Sequence, residues 1–391
     1  GPTGKYPQLA PTLEPIGRKI FALSNVEIAS HTYSHPYQWS KVDDTTGRRI
    51  STDSVPGSEE SPFSMDIPDY EFHVEREIEG SIDYINQRLA PAGKKVVGLL
   101  WPGDAAAPRV ALRQASQLGV FAINGGDTLI TKTNNSWTNI APYGVAKGDD
   151  PAEYQVYAAA MNENVHASDW LGAYSGYERV LETFDMTNMP IRFKALDVYY
   201  HFYSATKLAS LKALKTVFDS ALKQPVFPIF TTEYVARALE WRRVSVARDG
   251  NRWFVRSGQN LRQLRWPGQG VPDLSTASGV AGYQPGPGGL YIHMGADTAS
   301  FQIGYGASQP VPNIREASGF IRNFQRSGRE VRFDFGGYYK PFVEMADVSG
   351  CSISVDGGPD KKRGSVNTWR LDVAGAAVKP VSYHSIKVKC E

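Results

Sequence analysis

The arrangement of apolar residues changes near Trp241, and this change constrains the fold more than any other feature of the sequence. Before that point, apolar runs alternate with segments of helical spacing, and six runs indicate strands: 26–29, 95–101, 120–125, 154–161, 193–202 and 225–230. Continuous apolar runs are typical of parallel strands, because both faces of such a sheet are covered. The first part of the chain is therefore predicted to be an α/β domain, either a barrel or an open doubly wound sheet.

After Trp241, apolar and polar residues alternate in short segments separated by turn residues, and Asp249-Gly250 indicates a hairpin between two of them. This pattern predicts a β-sandwich, and we place the domain limits at 1–238 and 239–391. Cys351 and Cys390 are the only cysteines and lie in this second part. A disulfide formed in an oxidising compartment fits them, and two unpaired buried cysteines are the alternative.

The charge balance and the length of the apolar runs argue against two classes of partner. Lys and Arg total 42 against 40 Asp and Glu, so no strong positive field attracts nucleic acid. The apolar runs are much shorter than the roughly 20 residues that span a bilayer, so we expect no membrane insertion. The sequence begins Gly-Pro without a Met, which is typical of a protease cleavage site, and we expect native sequence upstream of Gly1.

Two histidines lie four residues apart directly after the first predicted strand, in the segment SHTYSH at 30–35. His31 and His35 at this spacing lie on one side of a single turn, close enough to share a metal ion. Ser30 and Thr32 are residue types that favour a turn where a strand ends. The alternative is a pair of polar loop histidines that share no ligand.

Further polar residues follow the ends of other predicted strands, namely Asp104, Asn124 and His201. In parallel α/β architectures the working residues lie at the carboxyl ends of the strands. We therefore expect these side chains and His31 at one edge of the sheet. For His201, which lies in a Tyr-rich run, an ordinary packed side chain is the alternative.

Four segments carry a resemblance to a known family: NVEIASHTYSHPYQW, INGGDT, DVYYHFYSATKLASLKAL and QPVFPIFTTEY. They resemble the NodB-like polysaccharide deacetylases, and within that family the PelA-like deacetylases of Pel exopolysaccharide biosynthesis. The resemblance covers most of residues 11–240. It implies a distorted (β/α) barrel of NodB-like type, followed by a C-terminal β-sandwich, with a divalent metal, zinc, as the cofactor.

The resemblance also implies a role for individual residues. His31 and His35 match the metal-binding histidines, and His201 matches the general acid that protonates the leaving amine. Asp169 would orient that acid and Trp170 would line the acetyl pocket, although a helix cap and a core Trp explain this pair equally well. The residues expected to bind substrate are Trp39, Trp170 and Tyr200.

One family feature has no counterpart in the sequence. The family has an early Asp-rich motif that supplies a metal-binding Asp and a base, and no such motif precedes His31. The first barrel strand is therefore expected to be absent, so that either the sequence begins downstream of it or another element supplies the carboxylate. Asp104 and Asp127 are the acidic residues nearest to strand ends, but turn chemistry alone also predicts an Asp after Pro-Gly at position 104. Arg109 lies near the expected place of the family's base-orienting Arg.

The expected function is that of a zinc-dependent hydrolase that removes N-acetyl groups from an N-acetylhexosamine exopolysaccharide, rich in N-acetylgalactosamine, in the periplasm or outside the cell. The missing Asp motif leaves open that the chain is a catalytically incomplete fragment. The alternative is a non-catalytic carbohydrate-binding or assembly module of an exopolysaccharide biosynthesis complex. The expected partners are the acetylated polysaccharide and other biosynthesis proteins.

Overall fold

The computed structural model describes residues 1–50, 62–167, 174–189, 191–305, 310–377 and 379–390. The chain forms two compact units, Gly1–Lys223 and Gln224–Glu391. The first combines helices with a mostly parallel sheet, and the second consists mainly of antiparallel strands, so the protein is mixed α/β. The domain limits inferred from the sequence, 1–238 and 239–391, stay a prediction. No helix in the described ranges has the length and apolar character needed to cross a membrane.

A five-stranded sheet forms the centre of the first unit. Its strands are β1 (Ile28–Ser30), β2 (Val96–Leu100), β3 (Phe121–Ile123), β4 (Gly144–Ala146) and β5 (Tyr154–Val156). Their spatial order is β1-β2-β3-β5-β4, in which all neighbours are parallel except β4 and β5. The predicted parallel sheet is thus confirmed. Val96 and Leu99 of β2 are buried, which accounts for the apolar run in that segment.

The helices of the first unit lie between these strands and after them along the chain. They are α1 (Ala10–Phe21), α2 (Ser81–Arg88), α3 (Arg109–Gln117), α4 (Glu163–Ala167), α5 (Val180–Met186) and α6 (Leu208–Leu222). A π-helical turn, Arg76–Gly80, leads into α2. Short 3-10 turns occur at Pro7–Leu9, Trp39–Lys41, Trp137–Asn139, Pro151–Glu153, Tyr174–Arg179 and Phe202–Thr206.

Two buried apolar clusters hold this unit together. The first joins the sheet to its neighbours and includes Ile28, Trp39, Ile78, Leu99 and Trp101. The second packs α5 and α6 together, and includes Tyr177, Val180, Phe184, Leu214 and Val217. Because the first cluster contains residues of β1 and β2, it fixes the strand ends from which the candidate site is built.

The strand predicted at 193–202 is wrong, because residues 195–200 run outside the described sheets. Here side-chain carboxylates accept hydrogen bonds from main-chain N–H groups that pairing with a neighbouring strand would otherwise use. Asp197 accepts the N–H of Ala159 at 3.0 Å, and Glu163 accepts the N–H of His201 at 2.7 Å. The segment is therefore held by side chains rather than by strand pairing.

The strand predicted at 225–230 is also wrong, because these residues pair with no described strand. Pro225 and Pro228 have no N–H to donate, which disfavours a place inside a sheet. The sheet of the first unit instead ends at β4, which the sequence pattern did not predict. The described part of the sheet is thus open, with β1 and β4 at its edges.

The second unit begins with one helix and continues in antiparallel strands. The helix is α7 (Thr231–Trp241), and the strands are β6 (Ser245–Asp249), β7 (Arg252–Arg256), β8 (Gln263–Trp266), β9 (Val271–Pro272), β10 (Val280–Gly286), β11 (Gly289–Met294), β12 (Thr298–Gly304), β13 (Asn313–Ala317), β14 (Phe320–Ser327), β15 (Glu330–Gly336), β16 (Phe342–Ala346), β17 (Cys351–Val355), β18 (Lys361–Lys362), β19 (Thr368–Asp372) and β20 (His384–Cys390). The described strands pair in the orders β10-β11-β8, β6-β7-β12-β9, β13-β16-β19 and β14-β15-β20-β17-β18. The predicted hairpin at Asp249-Gly250 is confirmed, since β6 and β7 pair across it.

Apolar side chains at alternate positions of the strands form the core of the second unit. Val331, Phe333 and Phe335 of β15 are buried at every second position, and they join a cluster with Ile386 and Val388 of β20. A disulfide links the two cysteines, which face each other across β17 and β20, so the predicted pairing is confirmed: Cys351–Cys390.

Lys94 connects the end of α1 to the chain that enters β1. Its Nζ donates to the carbonyl oxygens of Phe21 at 2.8 Å, Leu23 at 2.8 Å and Val26 at 2.7 Å. Carbonyls at a helix C-terminus lack partners within the helix, and a cation there also balances the negative end of the helix dipole. The ammonium group therefore caps α1 and fixes the approach to β1.

Replacing Lys94 by Met keeps the apolar stem but removes this donor from all three carbonyls, of which that of Leu23 still accepts the N–H of Val26 at 3.2 Å. We expect the free energy of unfolding to fall by about 1–3 kcal/mol, the usual cost of unsatisfied polar groups. Urea denaturation followed by circular dichroism measures this change. The matched control is Lys95→Met at the exposed neighbouring position, where we expect a change within about 0.5 kcal/mol. Equal losses in the two variants would contradict the capping role.

Candidate metal centre and acid histidine

His31 lies directly after β1, at the carboxyl edge of the parallel sheet. Its Nδ1 is 2.8 Å from the carbonyl oxygen of Leu100, the last residue of β2. A carbonyl can only accept, so Nδ1 carries the proton and donates, which leaves the lone pair on Nε2. A hydrogen bond of this kind from one ring nitrogen to a main-chain carbonyl is the usual arrangement for a metal-binding histidine.

His35 lies beside His31 in the same loop. The two ring centroids are 4.9 Å apart and the rings meet edge to face at 79°. Nδ1 of His35 is buried and has no hydrogen-bond partner in the described part of the chain. Thr32 and His35 both have left-handed backbone angles, with φ of 67° and 52°. Such angles cost about 1–3 kcal/mol for a non-glycine residue and occur preferentially at functional sites.

Both histidines are held in the neutral form that metal ligands require. The pKa of His31 is lowered from an ordinary value of 6.5 to about 4, mainly by burial and then by the neighbouring His35 and His201. Burial also lowers the pKa of His35, with a further lowering by His201. At neutral pH the lone pairs of this histidine pair are therefore unprotonated.

His201 follows the extended segment 195–200 and is held by Glu163 of α4. Its Nδ1 lies 3.1 and 3.2 Å from the two carboxylate oxygens of Glu163, whose side chain is fully buried. The hydroxyl of Ser204 also donates to Glu163, at 2.9 Å. The ring of His201 stacks on Tyr203, with centroids 4.9 Å apart and planes inclined by 5°. These contacts direct Nδ1 toward Glu163 and fix the plane of the ring.

The structure brings His201 and the histidine pair into one region of the first unit. His201 contributes to the lowered pKa of both His31 and His35, after the larger effect of burial, because its ring lies near them. A second connection runs through Asn124, whose Nδ2 donates to the carbonyl of Trp101 and to the hydroxyl of Tyr199, each at 3.0 Å. The ends of β2 and β3 are thereby tied to the segment that leads to His201.

The histidine pair fits a metal ion as part of a ligand set. His31 offers Nε2 with its tautomer fixed, and His35 has a buried nitrogen without a partner. Zinc in a catalytic site typically takes about three protein ligands. Within the ranges that the structure describes, no group of three His, Cys, Asp or Glu side chains is arranged to hold an ion. The described residues therefore offer two candidate ligands, His31 and His35.

Asp104 joins the turn that it occupies to the turn at Trp39–Lys41. Its carboxylate accepts the main-chain N–H groups of Trp39 at 2.9 Å, Ser40 at 3.1 Å and Ala106 at 3.1 Å. The bond from Ala106 matches the local turn role that Pro-Gly-Asp predicts, and the three bonds together engage both carboxylate oxygens. Asp127, the other acidic candidate, is exposed.

Trp39 and Arg109 do not make the contacts that their predicted roles require. The indole of Trp39 is 0% exposed and packs edge-on against Trp101, with ring centroids 5.3 Å apart. A sugar ring has no access to Trp39 in this conformation, so it is a core residue. Arg109 pairs with Asp44, with Nε 3.4 Å from the carboxylate, and orients no acidic residue of the candidate site.

Tyr200 packs against α6 rather than toward the histidines. Its ring meets Phe218 edge to face at 6.1 Å and belongs to the second apolar cluster. Successive residues of an extended segment face opposite sides, so Tyr199 shares a side with His201 while Tyr200 does not. Asp169 and Trp170 lie outside the described residues.

Glu163 and Tyr203 are site residues that the sequence patterns did not indicate. Glu163 makes the contact with Nδ1 of His201 that was expected of Asp169. A buried acid as the first residue of α4 gives no signal of its own, because acidic residues at such positions are usually exposed. Tyr203 lies two residues after His201, and that proximity was the available signal.

His166 of α4 is a buried histidine outside this site. It is 1% exposed, and neither ring nitrogen has a hydrogen-bond partner among the described residues. Burial lowers the pKa of His166 to about 4, and Arg179 adds to this effect. The folded chain therefore keeps this ring neutral at pH values where an unfolded chain protonates it.

This difference predicts a pH dependence of stability. Between pH 6.5 and about 4 the unfolded chain binds a proton at His166 that the folded chain does not, so the free energy of unfolding falls as the pH falls through this window. Replacing His166 by Leu should reduce that slope by up to about 1.4 kcal/mol per pH unit. Urea denaturation at several pH values measures it, with His73→Leu at an exposed position as the control. An unchanged slope in the His166 variant would contradict the buried neutral ring.

Comparison with known proteins adds no assignment to this geometry. No protein-family model, no curated protein and no solved structure matches the chain. The function is therefore argued from the histidine pair, the acid histidine and their surroundings alone.

Proposed function

We propose that the chain is a metal-dependent deacetylase that removes N-acetyl groups from an N-acetylhexosamine exopolysaccharide. The observation that carries the proposal is the hydrogen bond from Nδ1 of His31 to the carbonyl of Leu100, which leaves Nε2 available beside His35. The nearby pair of His201 and Glu163 adds a proton donor held by a buried carboxylate. Metal ligands and a held imidazole in one place are two of the groups that metal-assisted amide hydrolysis uses, and a base that takes the proton of the attacking water is the third.

The fold assignment that accompanies this function is a proposal as well. We assign the first unit to the distorted (β/α) barrels of NodB-like type, with its first strand lacking, and the second unit to the β-sandwiches. The parallel order of β1, β2, β3 and β5 supports the first assignment, and the antiparallel sheets of the second unit support the other. The Cys351–Cys390 disulfide supports a periplasmic or secreted location, because disulfides persist in oxidising compartments.

His31 and His35 would hold the ion, which when bound polarises the amide carbonyl and acidifies a water molecule. His201 supplies the proton that the leaving amine needs, from Nε2, because Nδ1 faces Glu163. Glu163 holds the ring in this orientation through both of its carboxylate oxygens, as the buried carboxylate does in other acid–base pairs. Tyr203 stacks on the ring and keeps its plane fixed while the proton moves.

A second candidate function is a non-catalytic carbohydrate-binding or assembly module. The observation that favours it is the lack of a third ligand beside the histidine pair within the described ranges. In that case the chain would bind the polymer without releasing acetate. A polymer pull-down beside an acetate assay separates the two candidates.

The first test concerns the metal. We expect the wild-type protein to bind zinc at one site, and His31→Ala or His35→Ala to abolish stoichiometric binding, because each removes one of two neighbouring ligands. Isothermal titration calorimetry with zinc measures this. His73→Ala, at an exposed position outside the site, is the control and should bind like the wild type. Stoichiometric zinc retained in either of the first two variants would remove the proposal.

The second test concerns the acid. Glu163→Gln leaves the ring of His201 without its negative partner, so we expect acetate release from a partially acetylated hexosamine oligomer to fall about 10²–10⁴-fold in kcat, the usual contribution of a general acid. The KM and the zinc affinity should stay near wild type, because neither involves Glu163. Glu178→Gln, at an exposed position, is the matched control. Unchanged kcat in the Glu163 variant would contradict the acid role of His201.

A further inference from the structure

A buried carboxylate lies beneath the loop that carries the histidine pair. Glu77 belongs to the π-helical turn Arg76–Gly80 and its side chain is 0% exposed. A π-turn accommodates an extra residue in a helix and occurs frequently at functional sites. Here it places a charged side chain inside the protein, beside the segment at 33–34.

Four donors converge on this carboxylate, and three of them belong to the histidine loop. Oε2 accepts the N–H groups of Tyr33 at 2.9 Å and Ser34 at 2.8 Å. Oε1 accepts the hydroxyl of Ser34 at 2.5 Å and that of Tyr70 at 2.7 Å. Every partner donates, so the side chain acts purely as an acceptor, and an uncharged amide in its place could not accept from all four.

Other hydrogen bonds also hold this loop, such as that from the N–H of Thr32 to Ser30, but Glu77 accepts its two consecutive N–H groups at Tyr33 and Ser34. Thr32 and His35 hold left-handed backbone angles on either side of Tyr33 and Ser34, and such angles need surrounding contacts to persist. The main-chain N–H of Ser34 is buried and needs a partner, since an unpaired buried group costs as much as a lost hydrogen bond. Glu77 provides that partner directly before His35.

Glu77 is a buried acid, and the nearby guanidinium of Arg76 stacks on the ring of Tyr33. In the described residues no Lys, Arg or His nitrogen forms an ion pair with it. Its charge acts on His35, where it opposes the lowering of the pKa by burial. A buried charge is costly unless another charge or several hydrogen bonds compensate it. The four hydrogen bonds that converge on Glu77 provide such compensation.

We propose that Glu77 is a positioning residue for metal binding, whose carboxylate holds the loop at 31–35 so that the rings of His31 and His35 face one ion. This inference rests on the proposed metal site. It adds a residue outside the ligand set that acts through Tyr33 and Ser34 rather than by touching the ion. Groups of this kind typically change metal affinity about 10–100-fold when they are removed.

Glu77→Gln keeps the shape of the side chain and removes its charge and part of its acceptor capacity. We expect zinc affinity, measured by calorimetry, to fall about 10–100-fold. The matched control is Glu79→Gln in the same turn, where the side chain is exposed and where zinc affinity should stay at the wild-type value. Ser34→Ala and Tyr70→Phe each remove one donor while the carboxylate remains, and each should cause a smaller loss of affinity.

A second measurement uses the metal-free protein. Nitrogen-15 spectra of the imidazole rings report which nitrogen carries the proton. We expect the wild-type protein and Glu79→Gln to show His31 in the single form protonated at Nδ1, and Glu77→Gln to show a mixture of forms because the loop is no longer held. Ser34→Ala provides the same test if Glu77→Gln does not fold.

Zinc calorimetry and the nitrogen-15 spectra together distinguish failure of the proposed function from failure of the positioning role of Glu77. Failure of the wild-type protein to bind zinc would overturn the proposed function, whereas the spectra would still decide whether Glu77 orders the rings. Wild-type zinc affinity together with a single His31 form in Glu77→Gln would overturn the positioning role and leave the metal site standing.

Discussion

The hydrogen bond from His31 to the carbonyl of Leu100 is the interaction on which the candidate site depends. It joins the first residue after β1 to the last residue of β2, so it exists only because the two strands lie parallel and end at the same edge. It also selects the tautomer, since a carbonyl can only accept, and so leaves Nε2 free of a proton. Without it the ring could turn, and Nε2 would have no fixed direction beside the ring of His35. Strand pairing thus decides the chemistry of this side chain.

Around this bond, carboxylates bind main-chain N–H groups that strand or helix pairing would satisfy elsewhere. Buried Glu77 accepts main-chain N–H groups of the histidine loop, buried Glu163 accepts the N–H of His201, and exposed Asp104 accepts that of Trp39 in a neighbouring turn. Each segment held in this way is irregular, and a buried irregular backbone needs side-chain partners for its polar groups. The acids therefore allow the chain to leave the sheet and still hold functional side chains in fixed positions. This arrangement also explains why the segment before His201 runs extended without joining the sheet.

Much of the fold could be predicted from the sequence, because hydrophobic periodicity reports burial along a strand or helix. The apolar run at 95–101 corresponds to β2, and the Asp249-Gly250 turn corresponds to the hairpin of β6 and β7. The runs at 193–202 and 225–230 were misleading, because an apolar run shows that a segment is covered but not that it pairs with a strand. His31 and His35 were indicated by their spacing, whereas Glu163 could not be. Its role depends on the approach of α4 to a residue 38 positions later in the chain.

The sequence by itself determined the change from parallel to antiparallel architecture, the pair of cysteines and the histidine spacing, since each is a local pattern of residue types. Only the tertiary structure decided that Trp39 lies in the core, that Tyr200 faces a helix, and that Glu163 holds His201. The physical reason is that the environment of a side chain is set by distant segments. Burial, tautomer and hydrogen-bond partners arise from packing between residues far apart in the chain, and no local pattern records which of them meet.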